Sequence, residues 1–367
     1  MQKNKYLTLL PDILIYKGFS RCAIFDLKQS NHWFLPNEWG EILMNPNGFL
    51  AENLSVKLPT SSKEDIQNNL IFLKRNGIID FAQHSSLKDV PTEAHILNYF
   101  TETCSIGIEK SFNSQFIPIL SALRIKKLEL HFLRNSNILN CILVANQLNF
   151  ESLEIFLDYK YTKRLNLKEL SCKVPKLTHI RIINTPFTYT EIYKQLEIKK
   201  LKNYSNHELN VKLLKRQENV NLHYYYNKRV HIDSDGTIKN SPYTANSYGN
   251  ILTNSIDEVV HSEAFQKIWQ VKKTLVDVCC DCELRAICID RRPLIKRKGG
   301  TWFSNEACSY NPYLGKFKGE SGYQPLNECG IESNKQGFKI LVDQFIAIKT
   351  NYSNVALELD TNHNLFY

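Results

Sequence analysis

The chain has 367 residues, of which 43% are hydrophobic, and a formal net charge of +9 at pH 7. A chain of this length can bury two or three cores of its own, so no metal is needed to stabilise a very small fold. The sequence excludes a membrane span, since even the apolar stretch 338–348 is interrupted by Lys339, Asp343 and Gln344. Ten cysteines without an apolar segment after Met1 predict a reducing, cytoplasmic location and no disulfides.

Residues 1–88 are predicted to form an N-terminal module. Three apolar runs predict short strands, at residues 13–16, 22–27 and 32–35. Asn37 is predicted to cap a short helix, and Ser61-Ser62-Lys63-Glu64 to open another helix that ends at Asn76-Gly77. With a closing strand at 78–81, this order predicts a winged-helix-like module, a shape that binds DNA or binds peptides along a strand edge.

The aromatic run His32-Trp33-Phe34 in this module has two interpretations. Aromatic residues are common in the cores of small strand modules, where they only pack. Alternatively, these three residues contribute to a site where an extended peptide adds to the strand edge.

A polar stretch at 85–93 predicts a boundary, and residues 94–222 then alternate between strand and helix patterns. Strands are predicted at 96–100, 128–132, 153–157 and 179–183, and helices at 117–123 and 138–148. This alternation predicts an α/β domain, either a partial (β/α) barrel or an open parallel sheet, with its functional edge at the carboxyl ends of the strands. The domain contains no glycine-rich phosphate loop.

A third domain is predicted over 224–320, followed by an extension over 321–367. Asp235-Gly236 between two alternating segments predicts a hairpin over 230–239, because this dipeptide accepts the positive φ angles of a tight turn. Tyr248-Gly249-Asn250-Ile251 then leads into a helical stretch that delivers the chain to a group of cysteines.

That group carries the most specific chemistry in the sequence. Four cysteines have the spacing C-x2-C-x5-C-x19-C: Cys279, Cys282, Cys288 and Cys308. Four thiolates complete the ligand shell of either a tetrahedral zinc or a 4Fe-4S cluster, whereas the alternative is four unconnected buried thiols. The spacing and the polar neighbours favour a metal centre, and the sequence leaves zinc and iron open.

Several nearby residues are not assigned to this centre. Cys280 lies between two ligands and is expected to point away, and Cys329 lies beyond the pattern. His223, His231 and His261 are isolated, and isolated histidines are usually surface or core residues.

The sharpest basic stretch falls between the third and fourth cysteines. It consists of Arg291, Arg292, Lys296, Arg297 and Lys298. A solvated loop is one interpretation, and contact with an acidic peptide or a phosphate backbone is the other.

Together, the hairpin, the Tyr248–Ile251 turn, the four cysteines and the motif Tyr310-Asn311-Pro312-Tyr313 resemble a SPASM domain. More narrowly, the chain resembles the SPASM-domain peptide maturase of grasp-with-spasm systems over residues 224–318, and the N-terminal module is similar in outline to winged-helix elements that bind leader peptides. The resemblance implies a role in the maturation of ribosomally made peptides (RiPPs of the graspetide type), beside an ATP-grasp ligase. It implies one 4Fe-4S cluster on the four cysteines.

The four cysteines match the family's second auxiliary cluster in full, and the chain departs from the family at the other auxiliary cluster. The resemblance places cysteines at three positions where this chain has other residues. The first falls in the run Tyr224-Tyr225-Tyr226, the second is Ser241, and the third is Arg291 or Arg292. These side chains cannot replace thiolates around iron, so at most one cluster is expected. The C-x3-C-x2-C triad of radical S-adenosylmethionine enzymes is also absent, because Cys22, Cys104, Cys141 and Cys172 are isolated.

The predicted function is therefore an accessory protein of peptide maturation without independent radical activity. Its N-terminal module is expected to bind the precursor peptide, while its metal-binding domain helps to present the peptide or to dock the ATP-grasp ligase. Two alternatives remain. One is a zinc-stabilised nucleic-acid-binding protein, although Glu64 and Asp65 partly offset Lys63, Lys74 and Arg75 in the first module. The other is an iron-sulfur protein that passes electrons to a partner during maturation.

Overall fold

The computed structural model describes residues 5–83 and 101–344, except 124, 135–136, 163–165, 167–169, 171, 187, 194–195, 201–206 and 211–222. The boundary predicted at 85–93, the strand predicted at 96–100 and residues 345–367 lie outside the described residues. Among those that are described, no helix is long and apolar enough to cross a membrane.

The N-terminal module combines two antiparallel sheets with short helices. Its elements are β1 (Tyr6–Leu9), β2 (Ile13–Lys17), β3 (Cys22–Asp26), β4 (His32–Leu35), α1 (Asn37–Leu43), β5 (Phe49–Leu50), α2 (Leu54–Lys57), α3 (Lys63–Arg75) and β6 (Ile79–Ala82). One sheet has the order β5-β1-β6 and the other β2-β3-β4. The strands predicted at 13–16, 22–27, 32–35 and 78–81 therefore all form, whereas β1 and β5 were not predicted.

The two predicted helix starts differ in outcome. Ser62 caps α3 through a capping box: its hydroxyl accepts from the Asp65 N–H, and the Asp65 carboxylate accepts from the Ser62 N–H. The prediction that Asn37 caps α1 is wrong, since the cap position is Pro36 and Asn37 is the first helical residue. The Asn37 amide instead donates to the carbonyls of Gly18 and Phe19, and so fixes the turn between β2 and β3.

Strand β3 is buried on both faces. On one face Cys22 and Ile24 join Trp39 and the helices in the module's own core. On the other face Ala23 and Phe25 pack against Leu284, Ile287 and Tyr310 of the cysteine-rich domain. The module is thus bound to the C-terminal domain by a shared apolar core as well as by its own.

The middle of the chain is an α/β domain around one large sheet. Its elements are β7 (Thr103–Ile108), α4 (Phe116–Leu120), β8 (Lys127–Phe132), α5 (Ile138–Ala145), β9 (Ser152–Asp158), β10 (Leu177–Ile183), β11 (Tyr189–Tyr193), β12 (Leu196–Lys200), β13 (His207–Leu209), β14 (Arg229–Ile232) and β15 (Ile238–Lys239). The sheet order is β11-β12-β10-β9-β8-β7-β14-β15, and the pairs from β12 to β14 are parallel. The α/β prediction is confirmed in the form of an open, mostly parallel sheet.

The hairpin predicted over 230–239 is also present, as β14 and β15. Gly236 takes a φ of 89° in its turn, as the Asp-Gly dipeptide requires. Strand β14 additionally pairs in parallel with β7, so the hairpin extends the central sheet. This long-range pairing was not predicted.

The two faces of the central sheet differ in polarity. Leu128, Leu130, Leu153 and Ile155 point to the helix-covered face and belong to the apolar core. The opposite face carries polar side chains that are mostly buried: Ser105, Glu129, His131, Glu154, Arg181, Arg229 and His231. Parallel sheets are usually apolar on both faces, so this charged face requires internal pairing.

The buried charged side chains on that face form ion pairs with one another. Arg229 binds Glu129 through two nitrogens, at 2.6 and 3.0 Å. Glu154 contacts both Lys127 and Arg181, and Arg181 also reaches Glu208 of β13 at 3.4 Å. Burial opposes ionisation of Glu154, but the neighbouring Lys127 and Arg181 outweigh it and lower its pKa to about 2.

These pairs predict acid sensitivity. A carboxylate whose folded pKa is depressed stabilises the fold above its unfolded pKa of about 4.3, and this stabilisation is lost as the pH falls towards 2. We expect the free energy of unfolding, measured in urea at pH 7, 4.5 and 3, to decrease over the lower part of this range. The Glu154→Gln variant should have a lower free energy of unfolding at pH 7 and a weaker dependence of that free energy on pH. If the free energies of both proteins changed in parallel with pH, the Glu154 carboxylate would not be the source of the acid sensitivity.

The C-terminal domain consists of short elements. They are α6 (Ile256–His261), α7 (Glu263–Gln266), β16 (Cys288–Asp290), β17 (Ile295–Lys296), β18 (Trp302–Phe303), β19 (Tyr310–Asn311), β20 (Lys316–Phe317), β21 (Ile331–Ser333) and β22 (Phe338–Ile340). Single-turn 3-10 helices at Lys273–Leu275 and Cys279–Asp281 lie between α7 and β16. With so little regular structure, side-chain contacts must hold this domain together.

Candidate metal centre

The four predicted ligands come together around one cavity. Cys279 opens a 3-10 turn, Cys282 follows that turn, Cys288 begins β16, and Cys308 precedes β19. All four line the same cavity, with an apolar wall that includes Leu209, Leu284, Pro312 and Phe317. The four cysteines therefore share one cavity, and their role as metal ligands stays a prediction.

The turn that delivers Cys279 is strained. Val278 has a φ of 65°, a conformation that β-branched residues rarely adopt. The turn is held by backbone hydrogen bonds from Asp281 to Val278 and from Cys282 to Cys279. Strain of this kind persists only where the surrounding structure enforces it, and here the strained residue directly precedes Cys279, the first of the four cysteines.

Burial keeps the thiols protonated in the absence of a metal. It raises the pKa of Cys279 to about 12 and that of Cys308 to about 11, although the Arg292 guanidinium acts in the opposite direction on both. A metal must therefore displace these protons when it binds, as metal ions do at buried thiols.

Cations border the cavity and favour an anionic occupant. The Arg292 Nη2 lies 3.5 Å from the Cys279 sulfur, and Lys273 lines the cavity while its ammonium donates to the Cys288 carbonyl. The charged lining residues are Lys273, Arg285, Asp290 and Arg292, which leaves an excess of two positive charges. Four thiolates around a core of charge 2+ carry two net negative charges, so the donor set and its surroundings fit a thiolate-bound metal centre.

The separation of the thiols bears on which centre fits. In the part of the chain that the structure describes, no three His, Cys, Asp or Glu side chains are close enough to hold a single metal ion. A tetrahedral zinc with Zn–S bonds of about 2.3 Å would bring the sulfurs within about 4 Å of one another. A 4Fe-4S cubane binds each thiolate to a separate iron, so it does not require three of the ligands around one ion.

The three positions where the SPASM resemblance places the cysteines of its other auxiliary cluster also converge. Tyr225 and Ser241 are joined by their hydroxyls at 3.4 Å, and the Arg291 guanidinium lies 5.7 Å from the Tyr225 ring centre. The Tyr226 hydroxyl donates to the Arg292 carbonyl at 2.9 Å. Residues that are far apart in sequence thus fill one region with packed rings and hydrogen bonds.

The N-terminal module is attached beside the thiol cavity through an ion pair. Arg21, in the turn between β2 and β3, donates from Nε to the carboxylate of Glu283 at 2.8 Å, and Glu283 is fully buried next to Cys282. The Tyr310 hydroxyl donates to the same carboxylate. The Arg21 guanidinium also lies 3.6 Å from the centre of the Phe34 ring on β4.

The backbone of the β2–β3 turn also lies close to the backbone of the cysteine-rich segment beside the Arg21–Glu283 contact. A Cβ atom at Gly18 would lie 2.8 Å from the Glu283 nitrogen, so only glycine fits there. Next to it, the Phe19 N–H donates to the Asp281 carbonyl at 2.8 Å. Sequence reasoning did not select Arg21 or Gly18, because an isolated arginine or glycine in a turn has no distinguishing pattern.

The Tyr310–Tyr313 motif has a structural role around the cysteines. Tyr310 binds Glu283, and the Tyr313 hydroxyl donates to Asp281 at 2.7 Å. Asn311 donates to the Gln324 carbonyl at 2.8 Å. The motif therefore holds Asp281 and Glu283, the two residues that flank Cys282.

The residues left out of the predicted ligand set lie elsewhere. Cys280 does not line the cavity, and Cys329 packs with Val278, Tyr313 and Ile331. His231 bridges Ser105 at 2.9 Å and Asp233 at 3.0 Å on the central sheet. His261 contacts Asp257 at the end of α6, and His223 is fully buried beside Tyr226.

The basic stretch is largely used inside the protein. Arg291 binds Glu208 at 2.7 Å, Arg292 binds Asp290 at 2.8 Å, and Arg297 binds Asp277. Lys296 and Lys298 are exposed. Three of the five cations therefore form ion pairs inside the protein. Both interpretations of the stretch, a solvated loop and a loop that binds an acidic partner, had expected them to be exposed.

Comparisons with known proteins gave distant structural likenesses. No protein-family model matches the chain, and no curated protein matches it. Among solved structures, BtrN in an open conformation is similar over 51% of this chain and 94% of its own, with 12% identity and a TM-score of 0.32. Streptococcus suis SuiB bound to S-adenosylmethionine is similar over 77% of this chain and 94% of its own, with 11% identity and a TM-score of 0.32. Likenesses at this level assign neither fold nor activity, so the function is argued from the residues.

Proposed function

We propose that this chain is an accessory protein of ribosomal peptide maturation, which binds a precursor peptide and carries one 4Fe-4S cluster on Cys279, Cys282, Cys288 and Cys308. It works with an ATP-grasp ligase that modifies the peptide. The cluster, when bound, supplies a rigid anionic centre that can also accept an electron.

The observation that carries this proposal is the thiol cavity attached to the N-terminal module. Four cysteines surround it, cations border it, and Glu283 beside Cys282 binds Arg21 of the module. A peptide bound to the module would therefore lie on a part of the chain that packs directly against the cysteine-rich domain. This arrangement supports a role in presenting the peptide, in agreement with the family resemblance of the cysteine-rich segment.

Strand β4 is the candidate site for the peptide. In the described part of the chain it forms one edge of the β2-β3-β4 sheet. The Asp26 N–H donates to the Asn31 carbonyl, so these two residues form a hydrogen-bonded pair. The pair of Ala23 and Phe34 lies three residue pairs away in the same antiparallel ladder. Because hydrogen-bonded and non-hydrogen-bonded pairs alternate in antiparallel sheets, the backbone N–H of Phe34 points away from β3 towards the edge. An added peptide strand would accept from this N–H.

Peptide binding tests the proposal. Suitable probes are synthetic peptides that cover the N-terminal halves of short reading frames encoded beside this chain's gene, with fluorescence anisotropy as the measurement. Phe34→Ala removes the ring, and Phe34→Pro removes the ring together with the edge N–H, so the proline variant should bind about fivefold more weakly than the alanine variant, which corresponds to ~1 kcal/mol for one hydrogen bond.

Two results would contradict this assignment. Equal affinities of the two variants, with unchanged metal content, would exclude strand addition at β4. Salt-sensitive binding of duplex DNA without binding of any peptide would support the nucleic-acid alternative instead.

A further inference from the structure

Lys273 is a buried cation without a matching carboxylate. It lies in the 3-10 turn Lys273–Leu275, is 6% exposed and lines the cavity of the four thiols. Its ammonium donates to the Cys288 carbonyl, which is a neutral acceptor. Among the described residues, no carboxylate lies within ion-pair distance of it, and burying an unpaired charge is costly.

The other cations at the cavity are compensated or more exposed. Arg292 forms two contacts with Asp290, from Nε to Oδ1 at 3.0 Å and from Nη2 to Oδ2 at 2.8 Å. Arg285 donates to the carbonyls of Lys17 and Cys282 and is not fully buried. Lys273 therefore contributes a buried positive charge at the cavity that makes no ion pair with a carboxylate among the described residues, since Asp290, which acts on it electrostatically, is paired with Arg292.

We propose that Lys273 sets the reduction potential of the four-cysteine centre by stabilising its reduced state. This inference rests on the proposed 4Fe-4S cluster. Reduction adds one electron from an external one-electron donor and makes the centre more negative by one charge, and no bond or proton changes because Lys273 remains protonated. A fixed ammonium in a buried site favours the more negative state, so it raises the potential.

The test compares four charge variants in the full chain. Lys273→Gln keeps an N–H donor and removes the charge, Lys273→Met removes both, and Lys273→Arg keeps the charge. Lys272→Met is the matched control, since Lys272 is the exposed residue directly before the turn. Each protein is purified without oxygen, assayed for iron and acid-labile sulfide, and titrated with dithionite while its visible and electron paramagnetic resonance spectra are recorded.

We expect Lys273→Gln and Lys273→Met to lower the potential so that the ratio of reduced to oxidised centre at a fixed potential falls at least tenfold, which is 59 mV for one electron. Lys273→Arg should stay close to the wild type, and so should Lys272→Met. Equal potentials in Lys273→Gln and Lys272→Met, with full iron and sulfide content, would overturn the role of Lys273 and leave the cluster intact. Zinc without sulfide in the wild-type protein would overturn the cluster itself and this inference with it.

Discussion

Replacing Cys282 with alanine is expected to remove the metal from the C-terminal domain. The wild-type protein, purified without oxygen, should contain about four irons and four sulfides per chain, and the variant less than about one of each. Cys282 lines the cavity with the other three cysteines, and alanine supplies no ligand for the fourth iron. Because metal-binding free energy is also folding free energy in such domains, the variant should unfold at a lower temperature.

Cys280→Ala is the matched control for this experiment. Cys280 lies two residues away, in the 3-10 turn that Cys282 follows, and it does not line the cavity, so the metal content of this variant should equal that of the wild type. Unchanged metal content in Cys282→Ala would contradict the ligand assignment. About one zinc and no sulfide in the wild-type protein would instead indicate a structural zinc and favour a protein without redox chemistry.

Replacing Arg21 with alanine is expected to weaken the attachment of the N-terminal module. Glu283 would keep its buried carboxylate and its contact with Tyr310 but lose its cation. Because the Arg21 side chain is 27% exposed, we expect a cost of about 3 kcal/mol, the lower end of the range for breaking a buried ion pair. The Phe34 ring would also lose the guanidinium that covers it. We expect the free energy of unfolding of the metal-loaded protein, measured in urea, to fall by that order.

Lys17→Ala provides the comparison for Arg21→Ala. Lys17 belongs to the same hairpin and pairs with Glu41, but both side chains are 45% exposed. Exposed pairs contribute little, so this variant should lose much less stability than Arg21→Ala. Similar losses in the two variants would show that the buried contact between Arg21 and Glu283 is not the one that holds the module.

The local sequence pattern was sufficient to predict many of the strands and helices. The apolar runs that became β2, β3 and β4 and the Ser62 cap of α3 were predicted because strand alternation and capping act within a few residues. The hairpin turn at Gly236 was predicted for the same reason, since its positive φ depends on one dipeptide. Asn37 was misjudged because its amide binds the carbonyl of Gly18, 19 residues earlier, instead of its own helix.

The sequence by itself determined the candidate ligands, because thiolate chemistry and spacing mark Cys279, Cys282 and Cys288 as a group and add Cys308. Only the tertiary structure brought Lys273 to their cavity and paired Arg21 with Glu283, 262 positions away in the chain. The reason is physical: a buried charge is stabilised by a partner that is close in the fold but can be distant in the sequence, so the pair produces no local sequence pattern.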